Sequence, residues 1–135
     1  MPLMTWSQEL SVGIPSIDEQ HKKLVAILNR LSSAMEKGME DYAMIGVFED
    51  LLAYTVEHFT YEEELFAKCG YPATEAHTHK HEALKAQVLS LKARMHTGDF
   101  MLDIEALSFL KDWLGNHIMK SDKAYAPFLI SAGVQ

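Results

Sequence analysis

Apolar residues recur at alternating spacings of three and four through four long stretches of the chain, and this periodicity limits the possible folds more than any other feature. Positions three and four apart share one face of a helix with 3.6 residues per turn, so each stretch reads as a helix with one face turned to a core. The first seam is Ile17, His21, Leu24, Leu28, Leu31, Met35, and the second is Met44, Phe48, Leu51, Thr55, His58, Glu62, Leu65. The third is His77, His81, Leu84, Val88, Leu91, Met95, and the fourth Leu107, Leu110, Leu114, His117.

Breaks fall at Pro15, Gly38, Gly70-Tyr71-Pro72, Gly98 and Gly133. Ser16 followed three residues later by Glu19 has the form of a capping box that would open the first helix, and Gly38 would close it. The expected helices cover about 16–37, 41–68, 73–96 and 101–119, with an N-terminal arm over 1–15 and a short C-terminal segment over 120–135. Connections this short turn neighbouring helices antiparallel. The expected architecture is therefore all-α, an up-down-up-down four-helix bundle forming one domain of 135 residues.

Charge and cysteine content exclude several functions. With 12 Lys+Arg against 19 Asp+Glu the formal net charge is -7, and no clustered basic footprint exists to grip a phosphate backbone, so no nucleic-acid partner is expected. The single cysteine, Cys69, cannot form an internal disulfide and reads as a small hydrophobe near a helix end. Glu9, Asp18 and Glu19 precede the first Lys or Arg, unlike a secretory leader, and no apolar run approaches the roughly 18 residues of a membrane span. The expected location is the cytoplasm, without membrane insertion.

The polar positions within the seams carry the functional information. Besides Thr55 they are five histidines and Glu62. A buried imidazole or carboxylate without a partner costs several kcal/mol or shifts its pKa, so such groups should be paired or should bind metal. His21 lies near the start of the first helix, His58 and Glu62 near the end of the second, His77 and His81 at the start of the third, and His117 near the end of the fourth. In an up-down bundle those four places are the same end. His58 and Glu62, like His77 and His81, are four apart, which leaves their side chains roughly 40° apart around the helix and about 6 Å apart along it. Five imidazoles exceed the three or four protein ligands usual for one zinc and suit two ions, although imidazole alone does not choose among Fe, Zn, Cu and Ni.

The segments DEQHK (18–22), HFTYEEELF (58–66) with CGYP (69–72), HTHKH (77–81) and WLGNHIMKSD (113–122) together resemble the hemerythrin family in its single-domain bacterial form, over nearly the whole chain. The resemblance implies a four-helix bundle holding two iron ions, a non-haem di-iron centre with an oxo or hydroxo bridge that binds O2 reversibly. It implies His77, His81 and His117 on one iron, His21 and His58 on the other, and Glu62 and Asp122 as bridging carboxylates. The second iron would keep an open position where O2 binds as hydroperoxide. Resemblance and seam geometry both point to Phe59, Trp113, Leu114 and Ile118 as an apolar O2 pocket. Asp122 follows His117 by five residues, a rotation of roughly 140° in an ideal helix, so for both to face the irons a π-type bulge, loosened turn or helix end is expected around Lys120-Ser121.

Singly, each feature has an ordinary explanation. A lone histidine on an apolar seam is usually a hydrogen-bonded core residue, and Glu62-Glu63-Glu64 could be a solvated acidic face. Convergence of five histidines favours ligation, with Glu63 and Glu64 left to solvent. His79 points about 200° from the seam and His96 lies about 22 Å beyond His81, so both are expected to be bystanders. Trp6 and its arm are expected to pack across the bundle. The functional expectation is a monomeric O2 carrier or store rather than an enzyme, with O2 as ligand and an O2-consuming protein as candidate partner. The rivals are a di-iron redox enzyme, an O2 or redox sensor, and an iron-handling module.

Overall fold

A computed structural model of the chain describes residues 3–38, 41–97 and 104–135, with the side chains at 41–42, 94–97 and 104–106 outside the description. The described residues are all helical or connecting turns, in a bundle of four helical runs. α1 spans Pro15–Glu36, α2 Asp41–Cys69, α3 Thr74–Thr97 and α4 Ile104–Asn116. α4 passes without a break into a π-helical turn, His117–Asp122, and then into α5, Lys123–Ser131. α1 packs on α2, α2 on α3, and α4 closes against α1.

The seams face inward as their spacing requires. Ile17, Leu24, Leu28 and Leu31 of α1, Phe48 and Leu51 of α2, Val88 of α3, and Leu107, Leu110 and Leu114 of α4 form one buried cluster. Thr55, the polar intruder in the second seam, is also fully buried; its Oγ1 donates to the Leu51 carbonyl at 2.7 Å, so the hydroxyl is satisfied within its own helix.

Helix starts and stops differ from expectation in two places. Ser16 and Glu19 do not form a capping box: α1 begins at Pro15, with Ile14 as its N-cap and no side-chain cap. The entry is fixed instead by Asp18, which accepts from the Val12 backbone N–H at 2.9 Å and from the Ser11 hydroxyl at 2.5 Å. Proline at the first helical position has no N–H to satisfy, which removes part of the need for a cap. Ser16 Oγ accepts from Tyr61 of α2 at 2.9 Å. The second difference is at the other terminus, where most of 120–135 is helix. The π turn keeps the backbone hydrogen-bonded, so the helix continues through it to Ser131. Gly38 closes α1 as expected, in the left-handed region at φ +65, which costs glycine little.

The arm lies on the bundle as expected. Met4 and the Asn29 side chain exchange two hydrogen bonds, N–H to Oδ1 at 2.9 Å and Nδ2 to the Met4 carbonyl at 2.7 Å, and Lys22 Nζ sits 5.6 Å over the Trp6 ring. No described helix is long and apolar enough to cross a membrane.

Candidate metal centre

Seven side chains meet inside one end of the bundle: His21 from α1, His58 and Glu62 from α2, His77 and His81 from α3, His117 and Asp122 from the π turn. All are buried, and His21, Glu62, His81 and Asp122 are completely inaccessible. The π turn is what admits the last residue. Hydrogen bonds from i to i+5 bring residues five apart over one another, so His117 Nε2 and Asp122 Oδ1 come within 3.1 Å instead of diverging. The distortion expected around Lys120-Ser121 is thus present.

The two carboxylates divide the histidines into two groups. Asp122 Oδ2 lies 3.0 Å from His21 Nε2, while Oδ1 lies 3.1 Å from the Nε2 atoms of both His77 and His117. Glu62 Oε1 contacts His58 Nε2 and lies 3.9 Å from His21 Nε2, while Oε2 lies 3.3 Å from His77 Nε2 and 3.6 Å from His81 Nε2. Two four-residue sets result, His77-His81-His117-Asp122 and His21-His58-Glu62-Asp122, each with its ligand atoms within 4.8 Å of one another.

These groups suit metal on two further counts. The Nε2 atoms of all five histidines and all four carboxylate oxygens are buried with only one another as partners among the described residues, a concentration of polar atoms that protein alone rarely tolerates. Two buried carboxylates also require compensating positive charge. In the metal-free cage histidine protons supply it. Burial alone would lower His21 and His77, but contact with Asp122 and Glu62 outweighs it and raises both to about 9. Burial works against ionised Glu62 too, yet the surrounding imidazoles, His58 foremost, hold it well below the usual carboxylate range. Asp122 is lowered likewise against burial and the Glu62 charge, by His117, His21 and His77. His81 is lowered, chiefly by burial, and so is held neutral with a free lone pair. Cations at the two sets would replace the protons.

The surroundings include three residues that sequence reasoning missed. Gln20 Oε1 receives a hydrogen bond from His58 Nδ1, which turns the other nitrogen inward. Its signal was only its position beside His21. Glu63, expected in solvent, is half-buried with Oε2 3.5 Å from His81 Nδ1. Its place one step along from Glu62 aims it past the cage toward the outer edge of that imidazole. Tyr125 of α5 is fully buried with its ring 5.4 Å from His77 and 5.2 Å from Phe66, so α5 closes the end of the cage. Burial, with the charges of Asp122 and Glu62, pushes its hydroxyl well above the ordinary tyrosine range.

Of the residues expected around an O2 pocket, Phe59 lies flat on His81, with ring centroids 3.8 Å apart and planes 6° apart, and also faces His117 and Trp113. Leu114 and Ile118 are buried in the core cluster that flanks His117, and Trp113 is half-buried. His79 is exposed, 3.9 Å from Glu75 and away from the cage, while the His96 side chain falls outside the described residues. Cys69 is half-buried as the last residue of α2.

Fold and cage together define a class: a four-helix bundle carrying a buried metal-binding cluster of histidine, glutamate and aspartate. The family model of the hemerythrin HHE cation binding domain matches residues 12–129, and the chain belongs to the hemerythrin family. It is similar to the bacteriohemerythrin of Stenotrophomonas maltophilia, 37% identical over 126 residues that cover 93% of this chain and 81% of that one. The bacteriohemerythrin of Methylococcus capsulatus is 35% identical over 131 residues, 96% and 98% of the two chains. Among solved structures, wild-type hemerythrin superposes with a TM-score of 0.89 at 33% identity, covering 94% of this chain and 98% of the other.

Proposed function

We infer that the chain binds O2 reversibly at a di-iron centre, as a carrier, store or delivery protein rather than an enzyme. The observation that carries this reading is the division of the Glu62 and Asp122 oxygens between two histidine groups. His77, His81 and His117 would hold one iron and His21 and His58 the other, with Glu62 and Asp122 each offering an oxygen to both groups. Two iron ions held there would supply reversible two-electron redox chemistry toward O2.

The protein side chains account for reversibility. Carboxylate-rich di-iron bundles present four Glu and two His, whereas five of these seven groups are imidazoles, which are neutral once metal displaces their protons. Less negative charge gives less support to high oxidation states, which favours return of O2 over its cleavage. Phe59, Trp113, Leu114 and Ile118 would exclude water from the bound ligand. The bearing experiment is to load the protein with iron, reduce it anaerobically, admit O2 and then remove it while following the charge-transfer spectrum. Repeated return of the spectrum with iron retained is expected; irreversible bleaching with release of peroxide or iron would assign O2 consumption or iron handling instead.

A further inference from the structure

A cavity of about 380 Å³ opens between α3 and the run from α4 into the π turn, and it reaches the cage at His117. Lys80 and Lys120, both exposed, stand at its opening; Leu84 and Trp113 are among the side chains forming its walls. Lys80 is held there by Ser121, with Nζ 3.2 Å from Oγ. His117 keeps 8% of its surface exposed, more than any other of the seven cage residues, so this is where the cage comes nearest to solvent. At roughly 30 Å³ per water the volume of about 380 Å³ accommodates about a dozen waters. A two- or three-atom ion therefore fits with part of its hydration shell.

The charge at this opening is opposite to that of the chain. The net charge is -7, a field that repels anions at long range, yet the cavity lining among the described residues contains two lysines and no carboxylate. A neutral diatomic is indifferent to that difference, but a small anion is not. We propose that this cavity is an anion-admitting vestibule, through which monovalent anions of about azide size reach or leave the cage past Lys80 and Lys120. The access role rests on the di-iron reading above; the anion preference of the cavity does not.

Two measurements separate the parts. In a Trp6→Phe background Trp113 is the single tryptophan, and its fluorescence in the protein as isolated reports the vestibule by collisional quenching. Lys80→Gln with Lys120→Gln is expected to weaken iodide quenching roughly fivefold at low salt, to leave neutral acrylamide unchanged, and to raise caesium quenching. Unchanged iodide quenching, or an equal fall for iodide and acrylamide, overturns the vestibule. In oxidised, iron-loaded protein the same pair of substitutions should slow azide association by a similar factor and weaken its salt dependence, with O2 association to the reduced form unchanged. An unaltered azide rate overturns the access role. Failure of wild-type protein to bind iron would instead sink the di-iron reading and leave the quenching result standing.

Discussion

Asp122 reaches across the bundle to His21, its Oδ2 3.0 Å from Nε2, while its other oxygen faces His77 and His117. The contact joins the first helix to the π turn, the two segments of the cage farthest apart in sequence. Asp122→Asn keeps the shape and removes the charge that one oxygen presents to each histidine group. Iron affinity is expected to fall by at least about tenfold, read as iron per chain after equilibration with a competing chelator. Full retention of both ions would deny Asp122 a bridging role.

His117 and His79 provide a matched contrast, since one is buried in the cage and the other is exposed beside Glu75. His117→Ala should lower iron content and the melting temperature of the iron-loaded protein; His79→Ala should change neither. The reverse pattern would show that the helical faces had been read wrongly.

Gln20 accepts a hydrogen bond from the outer nitrogen of His58, and the Glu63 carboxylate lies 3.5 Å from that of His81. Groups in such positions fix tautomer and ring angle, and their loss commonly costs about 10–100-fold in metal affinity. Gln20→Ala and Glu63→Gln are expected to fall in that range while the far-ultraviolet circular dichroism stays unchanged. If competition titrations show affinity equal to wild type, these contacts are incidental.

Leu114 and Ile118 are buried in the core beside the cage. Truncation of either to alanine should cost about 2–5 kcal/mol through lost burial and a residual cavity, measured by urea denaturation. The same opening should admit water and accelerate autoxidation of the oxygenated protein. Normal autoxidation in both variants would remove them from the O2 pocket.

Chelation should leave a protein whose stability depends on pH in a definite direction. His21 and His77 are raised to about 9 in the folded, metal-free cage from 6.5 in an unconstrained chain. A folded-state pKa above the unfolded one stabilises fully below pH 6.5, and that contribution is lost as pH rises toward 9. The unfolding free energy of the metal-free protein, from urea titrations, should therefore decline across this window by up to roughly 1.4 kcal/mol per histidine per pH unit. Metal affinity should move oppositely, because His21 and His77 must each surrender a proton before they bind metal. A flat profile for the metal-free protein would mean that the cage carboxylates do not hold these histidines in the protonated form.

Helix number, the apolar seams and the meeting of five histidines with Glu62 were legible in the residues alone, because a 3.6-residue period is local and short connections reverse direction. Once resemblance put Asp122 beside His117, the distortion at 117–122 followed from rotation per residue: two side chains five apart cannot share a face of an undistorted α-helix. Asp122 was reached only through resemblance, since no seam contains it.

Tertiary structure decided everything that depends on how the helices are rotated and set against one another. It determined which carboxylate oxygen faces which imidazole, brought Gln20 and Glu63 onto outer ring nitrogens, and carried α5 over the cage so that Tyr125 seals it. It also opened the cavity between α3 and α4 with Lys80 and Lys120 at its mouth. Periodicity specifies the face on which a side chain lies. Distances of 3 to 4 Å between groups on different helices depend on packing of whole side chains across the core, information that no single segment contains.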